Sequence, residues 1–439
     1  MSLTRPNDPI ELFCEVRKRS SLKRAWDHVR PRALQSRDPD TKRERAAIEA
    51  DTLLYIGRLQ KDIGPEGFRF DAQKGVLKRR AGKTPRPIVV SPLRNRIVQR
   101  AILDVCQSNS RRICRLLGEL PKRLATRTSV GGLPERGVSY AVRLIKEAID
   151  GGATHYVRSD LKNFFANLPK QPLHAFLDAE VSDRSFVALF KKALEVELSN
   201  REDEDVRQWW SLFPTTEVGV PQGSALSAIS ANIVLSDFDE QLNSGTVTTI
   251  RYLDDFVILG PSEATVASAW TRAETILAGL GLEAHQPGQS NKAAKGTVAQ
   301  GFEFLSFRVQ GRTIAPSRKA KDELSNDVAL TIRDAKKSIL ASAEPRRAQH
   351  RFIQTMELVD RKIRGWGDAF QETTQRVEFT QLDDRLGKQI DAFIGWFLSV
   401  QKGRSSSEQR RMWGVALLRD APPPGDDGLG SIPSALSSR

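Results

Sequence analysis

Apolar and polar positions along the chain follow two rhythms, one of period two and one near 3.6 residues. Residues 246–260, Thr-Val-Thr-Thr-Ile-Arg-Tyr-Leu-Asp-Asp-Phe-Val-Ile-Leu-Gly, place two short β-branched and apolar runs around Tyr252-Leu253-Asp254-Asp255. That pattern predicts a hairpin with two adjacent carboxylates at its tip. Upstream, Val157, Ser159 and Leu161 alternate onto one face, which puts Asp160 on the other, at the end of a strand. Ile229, Ile233, Val234, Phe238 and Leu242 recur at helical spacing and predict one helix opening at Ser224. Amphipathic helices are expected over residues 22–29 and 47–59, and further helices over residues 319–339 and 352–370. Ala81-Gly82 supplies the turn of a second hairpin around Arg80 to Lys83. Glu202-Asp203-Glu204-Asp205 is expected as an exposed loop. From about Gln401 the pattern fades into Pro422-Pro423-Pro424-Gly425 and a Ser-rich end, which predicts a flexible tail.

Charge divides the chain unevenly. Of the net +14, residues 1–130 carry 30 basic against 14 acidic side chains, whereas residues 131–439 carry 38 against 40. A polyanion held by the first third, with acidic metal ligands further along, fits that layout. The plainer alternative is a solvated basic surface, but the cations are dispersed through amphipathic segments, so folded basic elements are expected. The 439 residues allow two or three structural units. Cys14, Cys106 and Cys114 have neither metal-ligand spacing nor a disulfide framework. No signal peptide or membrane-length apolar run is visible, so a reduced, cytoplasmic setting without a membrane partner is expected.

Candidate chemistry starts at the hairpin tip, since paired carboxylates suit magnesium, which bridges to phosphates. An Asp-Asp pair alone is weak: Asp383-Asp384 and Asp426-Asp427 are two more. Asp160 alone could equally cap a helix. The segment Gly219-Val220-Pro221-Gln222-Gly223-Ser224 has a glycine that permits close backbone approach, and a helix opening at Ser224 would aim its N–H groups at phosphate. Each alone has an ordinary structural explanation. In this order they form one constellation.

In that constellation the chain resembles reverse transcriptases, specifically the bacterial group that includes group II intron maturases. Asp160 matches the first palm aspartate, Gln222-Gly223 the substrate motif and Tyr252-Leu253-Asp254-Asp255 the Tyr-x-Asp-Asp box. The stretch from Arg86-Pro87-Ile88 through Arg94-Asn95-Arg96-Ile97-Val98-Gln99 resembles the fingers motif. Phe304-Leu305-Ser306-Phe307 resembles the primer grip, and the segment around Lys362-Ile363-Arg364-Gly365-Trp366 a thumb helix.

The resemblance implies an α+β right-hand polymerase fold. Residues 1–130 would be a helical extension and fingers, 131–315 a palm with an antiparallel sheet, 316–400 a helical thumb, and 401–439 a partly flexible tail. It implies two Mg²⁺ ions, with Mn²⁺ as a substitute, held by Asp160 and Asp254 with Leu161 and Asp255 assisting. Arg86 would clamp the triphosphate with Arg79, for which Lys78 and Lys83 are alternatives; the other reading has these cations touching template backbone. Phe165 would sense the sugar by bulk, with Phe164 in the core. Arg94, Arg96, Arg100, Tyr252, Phe304, Leu305, Lys362 and Arg364 would contact nucleic acid. The implied partners are dNTPs, an RNA template and a DNA product. Ala228 and Ser306 depart from the usual Ser-Pro and Gly of the family, and no Cys/His nuclease cluster follows the thumb. What remains is similar to standalone abortive-infection and defence-associated enzymes working on a structured non-coding RNA. A maturase-like RNA-binding or splicing protein, and a template-independent or protein-primed polymerase, are the alternatives.

Overall fold

The computed structural model describes residues 11–36, 38–64, 67–80, 83–341 and 351–420. The Ala81-Gly82 turn, Asp426-Asp427 and the Pro/Ser-rich end lie outside these residues, as do the side chains of Arg80 and Lys83. Contacts divide the chain into one unit of Met1–Leu305 with Val309–Arg312 and another of Ser306–Arg308 with Thr313–Arg439.

In the first unit a hairpin of β1 (Lys74–Arg80) and β2 (Lys83–Val90) stands apart from a four-stranded antiparallel sheet. That sheet contains β3 (His155–Asp160), β4 (Thr248–Tyr252), β5 (Asp255–Gly260) and β6 (Ala294–Thr297), in the order β4-β5-β3-β6. From Phe256 onward β5 is apolar because both its faces are covered. Phe256 and Ile258 enter a core with Val266, Ala269, Ala273 and Leu277 of the helix Glu263–Gly279. Val257 and Leu259 enter another with Ala141, Leu144 and Ile145 of the helix Val138–Asp150. Period-two alternation between two covered faces turns an amphipathic strand into a continuous apolar run. The α+β architecture with its antiparallel palm sheet is that of a right-hand polymerase.

Several sequence expectations shift. The helix expected over residues 47–59 is two helices, Pro39–Ala50 and Thr52–Asp62, because Asp51 turns out of helical geometry and its carboxylate accepts the Leu54 N–H at 2.9 Å. No helix opens at Ser224: its hydroxyl accepts from the Leu226 N–H at 3.2 Å, closing a turn, and the helix begins at Ser227. That helix ends at Val234, and a separate one runs over Ser236–Leu242. The acidic stretch is a loop only through Asp203, since Glu204–Gln208 is a short helix with two acids in its first turn.

Three short strands follow in the chain, β7 (Phe302–Phe304), β8 (Phe307–Gln310) and β9 (Thr313–Pro316). Leu305 and Ser306, with φ of 48° and 69°, make the turn between the first two. This left-handed backbone is what glycine adopts without cost, which accounts physically for glycine being frequent at the position of Ser306.

The second unit is helical: Arg318–Leu340, Phe352–Ala369, Val377–Gln401 and Ser406–Trp413. Leu382, Leu386, Phe393 and Phe397 lie on one stripe of the third helix and pack with Val328, Ile332 and Val359. Residues 406–413 are not a loose tail. Ser405 caps that helix in a capping box, Met412 is buried, and Trp413 lies edge-on to Phe352 and Phe397 with ring centroids 5.0 and 4.8 Å away. Sequence periodicity misses it because eight residues give barely two turns of pattern. Phe397 is fully buried, so Phe397→Ala is expected to lower the unfolding free energy of this unit by about 3–5 kcal/mol. Urea titration followed by tryptophan fluorescence measures it, and an unchanged midpoint would contradict this packing.

Candidate active site

Strand register sets the centre of the site. Asp160, last in β3, pairs directly with Asp255, first in β5, and Asp255 pairs with Tyr252 across the β4–β5 turn. Asp254 lies in that turn, where its carbonyl accepts the Leu161 N–H at 3.1 Å. The hairpin tip and the strand end are therefore tied by backbone hydrogen bonds, so three carboxylates from distant parts of the sequence are held together. Asp160 and Asp254 line an open cleft of about 780 Å³; Asp255 does not. Asp254 lies in the turn and Asp255 opens the strand, which separates the two neighbours.

Burial first, then the Asp160 charge, holds the Asp254 carboxyl above its ordinary range, while Lys292 and Arg86 act in the opposite direction. Asp255 is pushed up to about 7 by burial, then by Asp254 and Asp160. Crowded carboxylates of this kind call for positive charge. Lys292 provides some, its Nζ lying 2.7 Å from Asp160 Oδ2. The loop carrying it is tied to β3: the Ser159 hydroxyl donates to the His285 carbonyl at 2.7 Å, and the Arg158 guanidinium donates to the Asn291 and Lys292 carbonyls at 3.3 and 3.4 Å. Sequence reasoning missed Lys292 because it sits in an aperiodic loop 132 residues from its partner. Among the described residues, no group of three or more His, Cys, Asp or Glu side chains converges as a ready-made metal centre. The hard oxygens of Asp160 and Asp254, facing one cleft and mutually repelling, nevertheless suit Mg²⁺.

The same cleft gathers Arg86, Phe165, Gln222 and Gly223. The Gln222 carbonyl accepts the Val89 N–H at 3.2 Å, which fixes the substrate loop to β2. Gly223 has φ of 115°, and a Cβ there would lie 3.3 Å from the Val89 carbonyl oxygen. Gly219 lies under Ala166, whose carbonyl oxygen would sit 2.7 Å from an added Cβ, and Val220 N–H donates to the Phe165 carbonyl at 2.8 Å. The loop is thereby packed against the turn that carries Phe165. Phe164 is buried, whereas Phe165 is partly exposed in the cleft. Leu161 is buried beside Asp160.

Other positions are held elsewhere. Lys78 lies opposite Arg86 in the hairpin register, while the Arg79 guanidinium bonds Asp205 at 2.5 Å and does not line the cleft. Arg94 is bound by Asp62, Asp71 and the Arg69 carbonyl and stacks over Phe68 at 4.3 Å. Arg96 is half-buried, its Nε donating to the Ser91 carbonyl at 2.6 Å, and burial lowers its pKa. Arg100 lies 2.9 Å from the His28 ring and 2.8 Å from Asp104. Arg94 thus ties its helix to Asp62 and the segment at 69–71, Arg100 reaches His28 of the helix Arg19–Leu34, and Arg96 bonds the turn that precedes its own helix. Tyr252 is half-buried and Phe304 buried in the core under β4, with Leu305 packed against it. In the helical unit Lys362 pairs with Asp327, and Arg364 with Asp360 at 2.8 Å.

A profile of the family described as "Reverse transcriptase (RNA-dependent DNA polymerase)" matches residues 76–309. Over 204 residues the chain is 28% identical to an uncharacterized 91 kDa protein in the cob intron of Schizosaccharomyces pombe, covering 46% of this chain and 22% of that one. Protein YkfC of Escherichia coli is 30% identical over 39% of this chain and 41% of its own length. The group II intron-encoded protein LtrA of Lactococcus lactis is 24% identical over 37% of this chain and 24% of its own. The chain thus spans less than half the length of each of these relatives. Among the described residues no helix is long and apolar enough to cross a membrane. The matched stretch runs from within β1 to within β8 with all three clustered carboxylates, and it covers more than half of the 439 residues; the chain belongs to the reverse transcriptase family.

Proposed function

We propose that the chain is an RNA-directed DNA polymerase, extending a primer with dNTPs on an RNA template. The observation that carries the reading is the register that sets Asp160 opposite Asp255, with Asp254 and Asp160 facing a cleft that also holds Arg86, Phe165, Gln222 and Gly223. In this reading the β1–β2 hairpin belongs to the fingers, the four-stranded sheet to the palm and the helical unit to the thumb.

Asp160 and Asp254 would hold two Mg²⁺ ions, or Mn²⁺ in their place, with Leu161 and Asp255 beside them. Bound there, the metals would lower the pKa of the primer hydroxyl and neutralise charge on the leaving pyrophosphate. The protein's own part is placement. Lys292 keeps Asp160 neutralised, Arg86 offers a bidentate fork to phosphate oxygens, and the Gly223 backbone allows close approach of a nucleotide. Phe165, which lines the cleft, would lie against the sugar. Tyr252, Phe304, Leu305, Lys362 and Arg364 remain candidates for nucleic-acid contact, whereas the internal bonds of Arg94, Arg96 and Arg100 favour a bracing role.

Extension of a DNA primer on an RNA template by purified protein, dependent on divalent metal, tests the reading; no dNTP incorporation with Mg²⁺ or Mn²⁺ would sink it. Arg86→Ala is expected to raise the KM for dNTP about 10- to 100-fold, the worth of a charge-assisted phosphate contact. Arg79→Ala should leave it near wild type, since Arg79 is engaged by Asp205. Equal effects of the two substitutions would show that the clamp is misassigned.

A narrower reading follows the resemblance drawn from the sequence to standalone defence-associated enzymes: the template would be a dedicated structured RNA in antiphage defence. Sequencing the nucleic acid that copurifies with the protein tests this: one recurrent structured RNA with its complementary DNA supports it, and a random sample of cellular transcripts refutes it.

A further inference from the structure

The turn that carries Asp254 and Asp255 is strained, and a buried ion pair that the proposed chemistry does not use is bonded to it. Leu253 has φ of 60°, in the left-handed region that a branched side chain rarely adopts. Arg251, two residues before it, is fully buried, and so is its partner Asp239 from the helix Ser236–Leu242. The guanidinium is used on every side. Nε donates to Asp239 Oδ1 at 2.7 Å, Nη2 to Asp239 Oδ2 at 2.5 Å and to Ser129 Oγ at 2.8 Å, and Nη1 donates to the Leu253 carbonyl at 3.0 Å.

Ser129 belongs to a strap that runs beside β4. Arg251 N–H donates to the Thr128 carbonyl at 2.9 Å, and Val130 N–H donates to the Arg251 carbonyl at 2.8 Å. The strap continues to Gly131, where an added Cβ would fall 2.7 Å from Leu253 Cγ and 2.8 Å from Leu253 N. Asn232 holds that glycine from the other side, its amide donating to the Gly131 carbonyl at 2.9 Å. The turn is thus gripped at the Leu253 carbonyl by Arg251 and at the Leu253 side chain and amide by the strap.

We propose that Arg251, anchored by Asp239 and Ser129, is a positioning residue that holds the Leu253 turn so that the Asp254 carboxylate faces Asp160. The proposal rests on the polymerase reading. Stability alone does not account for the pair, because a buried ion pair can commonly be replaced by apolar side chains of similar volume without loss. An apolar pair has no donor for the Leu253 carbonyl, and among the described residues it is through that bond that the guanidinium reaches the turn itself.

The double variant Arg251→Met/Asp239→Leu removes both charges and separates the two roles. The expected result is a cooperative thermal transition close to that of the wild type, kcat for dNTP incorporation lowered on the order of 100-fold, KM for dNTP little changed, and Mn²⁺ binding, followed by electron paramagnetic resonance without substrate, weakened on the order of tenfold. Arg251→Lys keeps a charge against Asp239 but has no second nitrogen for the Leu253 carbonyl, so it should lose kcat in the same direction even if the double variant does not fold. Wild-type kcat and Mn²⁺ affinity in a folded form of either variant would overturn the proposal. A purely structural role would instead lower the folded fraction while leaving kcat per folded molecule unchanged. Asp254→Asn serves as the control: full synthesis by that variant defeats the polymerase reading, whereas its inactivity beside a normal Arg251→Lys enzyme defeats the positioning role alone.

Discussion

Changing Asp254 and Asp255 together to alanine is expected to abolish primer extension, a loss of at least about 10³-fold, while leaving the protein folded and more stable than the wild type in the absence of divalent metal. The first half follows from the loss of two of the three carboxylates clustered by the β3–β5 register. The second half follows from their electrostatics. Burial and the neighbouring carboxylates push the Asp255 carboxyl up to about 7, well above the ordinary aspartate range, and raise that of Asp254 as well. A carboxylate whose pKa rises on folding favours the native state in its protonated form, so ionisation destabilises the fold progressively from near pH 4 and fully above about pH 7. The stability gain of the double variant should therefore be small at pH 4, grow up to neutral pH and level off above it. Adding Mg²⁺ should stabilise the wild type and close the gap, because only the wild type has the ligands to gain from binding. Thermal melts of both proteins from pH 4 to 9, with and without Mg²⁺, measure the effect alongside activity. Undiminished synthesis by the double variant would remove these residues from the chemistry, and a gap independent of pH would contradict the carboxylate repulsion.

Most of what was legible in the sequence is local. The β4–β5 hairpin shows because two apolar runs and a polar tip sit within fifteen consecutive residues, and Asp160 shows because β3 alternates up to its last residue. Helix existence over residues 319–339 and 352–370 was readable for the same reason, several turns of one pattern. What escaped depends on contacts between distant segments or on single side chains that break a pattern. Asp51 and Ser224 interrupt helical stretches by bonding the backbone themselves, and periodicity does not register this. The arginines of residues 94–100 carry charge that suggests a polyanion track, yet each has partners within the fold: Asp62 and Asp71 for Arg94, the Ser91 carbonyl for Arg96, and Asp104 for Arg100. Arg251 falls in a strand where Thr249 and Ile250 are also buried, and only the partner helix reveals why a cation is tolerated there. Lys292 is invisible until the loop after the helix Glu263–Gly279 folds back to β3.

Phe165→Ala is expected to relax discrimination between dNTP and rNTP by up to roughly 100-fold, with a much smaller loss of dNTP incorporation than an Asp160 substitution causes. The turn after β3 gives its two aromatic residues different fates. Asn163 adopts left-handed geometry with φ of 46° and starts the short helix Phe164–Asn167; Phe164 is 2% exposed in the core, and Phe165 lines the cleft with its ring 5.2 Å from that of Phe164. A ring packed on its buried neighbour and braced through its carbonyl by Val220 cannot easily swing aside. Bulk held at a fixed place is what rejecting a 2′-hydroxyl requires, because that group is uncharged and is itself able to hydrogen-bond. Trimming the ring removes the obstruction while leaving Asp160, Asp254 and Arg86 in place. Incorporation of dNTP and rNTP opposite the same template base, compared between wild type and variant, gives the ratio directly. An unchanged ratio with a lowered melting temperature would make Phe165 a packing residue of the turn. A changed ratio with an unchanged melting temperature would place the sugar of the incoming nucleotide against this ring, and with it the nucleotide's orientation in the cleft.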